Sequence, residues 1–175
     1  CSNNRKSRRN TIDKIKGLNQ EIEHKALLLH EAQSNNDDEE LQALKASLDI
    51  IQKELQKYKK SDTLTAFFDS DIYKLFKNIG YKGNNKITSE EWETMYRLFN
   101  STFSSYTDFI HSGKSMTEDQ IKVCMLIRMG FGESEMASIL DVDLKRISRI
   151  KMQINQKFFG VYNAKDLVEN LNKVF

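Results

Sequence analysis

The sequence predicts an all-α protein: long N-terminal coiled-coil helices, a helical linker domain, and a C-terminal group of short helices. Three observations carry this. The 175 residues contain no proline, the commonest helix breaker. Two stretches within residues 10–60 keep heptad spacing of apolar residues. Further along, Thr88 with Glu91 and Thr117 with Gln120 have the spacing of capping boxes, each opening an apolar-periodic run.

Residues 1–9 are a basic segment, with Arg5, Lys6, Arg8 and Arg9 crowded together. Such a cluster is typical of the cytoplasmic flank of a membrane helix, and an ordinary solvated basic tail has the same composition. The chain opens on Cys1 rather than methionine, which suggests a fragment.

Residues 10–60 form the coiled coil. Ile12, Ile15, Asn19, Ile22, Ala26 and Leu29 are spaced as a and d positions, and so are Leu41, Leu44, Leu48, Ile51, Leu55 and Tyr58. The two frames are offset by one residue, across the polar stretch QSNNDDEE. One long helix with an irregularity there fits, and so does an antiparallel hairpin turning at residues 34–38. Asn19 favours a continuous parallel dimer, because a single seam asparagine fixes a two-stranded register.

Residues 61–113 form an aromatic-rich helical linker domain. Most of the chain's aromatic residues fall here, which signals a compact core. A short helix over 71–79 ends at Gly80, GYKGNNK is a loop, and a helix from Thr88 runs to His111 with a break near Asn100. That loop fails as a calcium site, because its first and third positions, Gly80 and Lys82, carry no carboxylate.

Residues 114–175 contain three short helices with tight connections. Val123, Cys124 and Ile127 mark the first, Met136, Ala137 and Leu140 the second, and Ile147, Ile150, Ile154 and Phe158 the third. Asp141-Val142-Asp143 is a turn-length link, and Asp143 is a good N-cap. A short helix, a tight turn and a longer second helix make a helix-turn-helix.

Composition narrows the function classes. Cys1 and Cys124 cannot build a disulfide framework or a metal site, so a reducing compartment is expected and no cofactor or metal is implied. His24, His30 and His111 sit in unrelated contexts, and no nucleophile–base pair or phosphate-cradling loop stands out, so an enzyme is not expected. The distribution of charge says more than its formal sum of +2. Between residues 144 and 165 there are six basic residues and no acidic one. With Ile147, Ile150 and Ile154 turned inward, Lys145, Arg146, Ser148, Arg149, Lys151 and Met152 project outward or flank a groove. An arginine can pair with guanine, serine can reach base edges, and methionine can contact a thymine methyl. Lysines and the remaining arginine suit phosphates.

The stretch MTEDQIKVCMLIRMGFGESEMASILDVDLKRISRIKMQINQKFFG resembles a LuxR-type helix-turn-helix domain. The resemblance rests on Met116-Thr117, Val123-Cys124, Leu126-Ile127, Gly130-Phe131, Glu135-Met136-Ala137 and Lys157-Phe158, spaced without gaps. Together with SDIYKLFK and TSEEWETM, the chain resembles the cytoplasmic part of membrane-tethered bacterial regulators with a tetratricopeptide sensor. The resemblance implies base reading by Ser148, Arg149 and Met152 and phosphate contacts by Lys145, Arg146, Lys151 and Lys157. Departures stand at Ile150 for a frequent histidine, and at Gly132 and Asp143 for capping Ser or Thr. The implied partners are double-stranded DNA, a second copy through the coiled coil, and RNA polymerase. The implied location is the cytoplasm, tethered to the inner membrane through an upstream segment. A coiled-coil interaction module that binds a protein instead of DNA is the other class consistent with these features.

Overall fold

The N-terminal region forms two long helices, α1 (Ser2–Ser34) and α2 (Asp38–Asp69), in a computed structural model that describes residues 2–34, 38–83, 85–112 and 114–175. The chain divides into two compact units, residues 1–66 and 67–175. Among the described residues all secondary structure is helical.

In the first unit α1 and α2 pack antiparallel. Arg8 Nε contacts Asp62 Oδ1 at 3.2 Å and Lys14 Nζ contacts Glu54 Oε1 at 3.5 Å, so advancing along α1 means retreating along α2. Leu18, Ile51 and Leu55 are the buried centre, flanked by Ile15, Ile22 and Tyr58. The hairpin alternative is therefore the one the chain adopts. The α2 seam follows the expected frame: Leu41, Leu44, Leu48 and Tyr58 are half-buried, Ile51 and Leu55 buried. The α1 seam does not. It runs through Thr11, Ile15, Leu18, Ile22, Lys25, Leu29 and Ala32, while Asn19 and Ala26 are exposed and Ile12 is 48% exposed. Both frames share Ile15, Ile22 and Leu29, so apolar spacing alone did not choose between them. Packing Leu18 instead of Asn19 buries a full aliphatic side chain and leaves the amide in water. Asn19 thus lies outside the seam, and the inference of a parallel dimer loses its support. Residues 35–37, on which the expected turn falls, lie outside the described residues.

The second unit comprises the end of α2 and α3 (Asp71–Lys82), α4 (Ser89–Thr102), α5 (Ser104–Ile110), α6 (Glu118–Arg128), α7 (Glu133–Leu140), α8 (Leu144–Phe159) and α9 (Leu167–Val174). Its aromatic core is formed by Phe67, Phe76 and Phe99, all fully buried, with Phe76 edge-on to Trp92 at 4.8 Å. This aromatic segment and the C-terminal helices share one interior. The Tyr106 hydroxyl donates to the Cys124 carbonyl at 3.0 Å, and the Tyr73 hydroxyl to the Met129 carbonyl at 3.3 Å. Residues 67–113 lie in the same compact unit as the C-terminal helices.

Two element ends differ from expectation. Helix α3 continues past Gly80 to Lys82 and is closed by Gly83 at φ 65°. Gly80 serves packing instead: a Cβ there would sit 3.1 Å from Glu135 Cβ and 3.2 Å from Ile139 Cδ1, so α3 and α7 touch through its missing side chain. The helical break after α4 falls at Phe103, whose buried ring packs on Phe99 and Phe67, and not at Asn100. Both expected capping boxes form, at Thr88/Glu91 and Thr117/Gln120.

Candidate nucleic-acid interface

Helix α7 begins after a turn at Gly130, φ 81°, and Phe131. No side chain at Gly132 caps it, but the Glu135 carboxylate accepts from the Gly132 N–H at 2.7 Å, supplying half of a capping box. Lys77 of α3 donates to the other oxygen of Glu135 at 2.7 Å and lies over the Phe131 ring. Burial raises the Glu135 pKa, but the Lys77 and Gly132 hydrogen bonds outweigh it and hold the carboxyl below its ordinary value.

The α7–α8 link is tight. Asp141 adopts the left-handed conformation at φ 54°, and Val142 N–H donates to the Ala137 carbonyl at 3.0 Å, closing α7. Aspartate tolerates this region better than a branched residue would. Asp143 then caps α8, its Oδ1 accepting from the Arg146 N–H at 2.6 Å. Ile147, Ile150 and Ile154 are buried as expected, which orients α8 in the unit.

That orientation sorts the seven residues singled out by sequence. Lys145, Ser148 and Arg149 are exposed, and among the described residues no side-chain partner meets them. Met152 is half-buried at the edge of the same face. Arg146 is exposed but engaged, its Nη2 3.0 Å from Asp119 Oδ2 at the start of α6. Lys157 is half-buried and donates to the Ser115 carbonyl and to Gln120 Oε1. Lys151 does not project outward at all. It is buried, with its ammonium 2.5 Å from Glu133 Oε1 on α7. Three of the four cations assigned to phosphate are thus held by groups on other segments.

Sequence reasoning missed Asp119, Gln120 and Glu133, the groups that hold these cations. Glu133 and Asp119 carry the ordinary signature of helix-start acids, so nothing in their local sequence marks them as partners of α8. It also stopped short of Gln156, which is exposed and lies seven residues beyond Arg149 and four beyond Met152. That spacing is the only signal that could have found it.

Beside the amino end of α8 lies a cleft of about 420 Å³ lined among others by Trp92, Tyr96 and Asp119 and by two ion pairs, Lys86–Asp141 and Lys122–Glu118. Burial, reinforced by Glu118 and Asp119, pushes the Tyr96 hydroxyl up to about 12. Asp119, one of the lining residues, pairs with Arg146 of α8.

These features define a class, an all-α protein in which, among the described residues, Lys145 and Arg149 stand without a side-chain partner on the outward face of α8. No protein-family model, curated protein or solved structure matches the chain.

Proposed function

We infer that the protein is a sequence-specific, double-stranded-DNA-binding transcriptional regulator. The observation that carries this reading is the outward face of α8. Among the described residues, Lys145, Ser148 and Arg149 stand clear of any side-chain partner on a helix fixed by three buried isoleucines and a capped turn. Exposed arginine, serine and glutamine on one face are the side chains that hydrogen-bond base edges in a major groove. Lys145 supplies a phosphate contact, and Arg146 joins it when it leaves Asp119. The protein acts as a homodimer, as paired half-sites require. Because the α1–α2 seam is closed within one chain, that pairing uses another surface. The whole regulator is tethered to the inner membrane from the cytoplasmic side by a separate segment. No described helix is long and apolar enough to cross a membrane.

The test is fluorescence anisotropy of the chain with duplex DNA from its own upstream region, across a salt series, beside Arg149→Ala. Sequence-specific binding lost in the variant supports the reading. Binding indifferent to both sequence and Arg149 removes it.

One observation favours a second reading, a module that binds a protein such as RNA polymerase. Internal engagement of Arg146, Lys151 and Lys157 lowers the phosphate-binding capacity of α8. Absence of DNA binding by an intact chain that retains polymerase in a pull-down would select it.

A further inference from the structure

We propose that Leu144, the first residue of α8, reads the C5 methyl group of a thymine in the major groove. The inference rests on the DNA reading and names a base that the outward face of α8 selects. Leu144 is 51% exposed, whereas the three isoleucines of the same helix are at most 2% exposed. A lone apolar side chain at a surface needs no partner. Leu144 differs by its place. Leu144, Ser148, Met152 and Gln156 recur every four residues and form one ridge along the helix surface. Lys145 and Arg149 form the ridge beside it. Leu144 therefore stands one turn ahead of Ser148, on the rim of the face that Lys145 and Arg149 occupy.

Chemistry narrows what this side chain can read. Leucine carries no charge and no hydrogen-bonding group, so it neither holds a phosphate nor matches the donors and acceptors of a base edge. The apolar feature that the major groove offers is the thymine methyl. In helix-turn-helix docking the N-terminal residues of the second helix meet base edges, and Leu144 stands at that end, directly after the Asp143 cap. Arg149 lies five residues on, roughly 7.5 Å along the helix axis, which spans about two base-pair steps. The site so defined pairs a thymine with a nearby guanine contacted by Arg149. A 5-methylcytosine offers the same methyl, and the test separates the two.

Duplexes bound by the chain are selected from a randomised pool, and each thymine is then replaced in turn by deoxyuridine. That change removes the methyl and keeps every hydrogen-bonding group. Fluorescence anisotropy should find a thymine in each half-site whose replacement weakens binding about fourfold, the worth of one buried methyl. Leu144→Ala should bind the thymine duplex more weakly by a similar factor and no longer distinguish it from the deoxyuridine duplex. Leu144→Met, which keeps an apolar side chain, should still distinguish them. Circular dichroism of each variant checks that the helices persist. Parent binding indifferent to every thymine replacement, or thymine discrimination that survives in Leu144→Ala, would overturn the proposal and leave the DNA reading standing. So would affinity that follows 5-methylcytosine in place of cytosine and ignores thymine. Failure of the pool to yield any preferred duplex would remove the DNA reading, and this inference with it.

Discussion

The Lys151 ammonium lies 2.5 Å from Glu133 Oε1, tying the middle of α8 to the first turn of α7. The lysine side chain is 5% exposed and the glutamate 50%, so the cation has lost its water and depends on one carboxylate. Removing that carboxylate leaves a buried charge uncompensated, which costs more than the pair itself contributes.

Glu133→Ala is therefore expected to lower unfolding stability by about 1–3 kcal/mol, less than for a fully buried pair because the glutamate is half in water. Lys151→Met, which removes the charge and keeps the packing, should change stability by less than about 1.5 kcal/mol. It should also leave the salt dependence of DNA binding unchanged. Urea denaturation of both variants measures the first two effects. A loss of one phosphate contact in Lys151→Met would show instead that the lysine leaves its pocket on DNA.

Gly80→Ala sets helix propensity against packing. The added Cβ gains about 1 kcal/mol in the helix but meets Glu135 Cβ at 3.1 Å, an atom fixed to the α7 backbone. Net destabilisation of about 1–2 kcal/mol is expected, because α3 and α7 must separate. Gly17→Ala, with nothing within 4 Å, should stabilise by about 0.5–1 kcal/mol. Thermal melts of the two variants should shift in opposite directions, and a shared direction would refute the close contact.

The depressed Glu135 pKa links stability to pH. A group whose folded pKa lies below its unfolded value contributes stability above the unfolded value, about 4.5 here, and loses it as pH falls through the folded one. Glu135→Gln should therefore be less stable than the parent at neutral pH, with the difference shrinking below about pH 4.5. Chemical denaturation at stepped pH reads this directly. A difference that grows on acidification would mean that burial dominates over Lys77 and Gly132.

In the proposed DNA complex, Asp119 competes with phosphate for Arg146. Both side chains are about half exposed, 50% and 46%, so the pair contributes only about 0–1 kcal/mol and opens readily. Asp119→Asn should tighten duplex binding several-fold and steepen the slope of log affinity against log salt by about 1, with stability nearly unchanged. Unaltered affinity would place Arg146 outside the DNA contact.

Much of the fold was legible because it arises from local chemistry. Both capping boxes, the Asp143 cap, the three buried isoleucines of α8 and the α2 seam are written in residues close in the chain. The candidate face was legible to the same depth. Periodicity placed Lys145, Ser148 and Arg149 outward, since one buried stripe fixes the opposite side of a helix.

What the sequence by itself determined is an all-α chain, the caps at Thr88, Thr117 and Asp143, and a cationic helix after a tight turn. The tertiary structure alone decided three matters. Leu18 replaced Asn19 in the α1 seam, because the two frames share Ile15, Ile22 and Leu29 and only burial against α2 separates them. Gly80 became a helix–helix contact instead of a helix end, because its neighbour Glu135 lies on a distant segment. Lys151 turned inward and Arg146 and Lys157 were engaged, because the groups that hold them lie outside the acid-free window of α8. Coulomb attraction and hydrogen bonding act across space, and a count of charges along the chain cannot include a carboxylate or carbonyl that folding brings in from another segment.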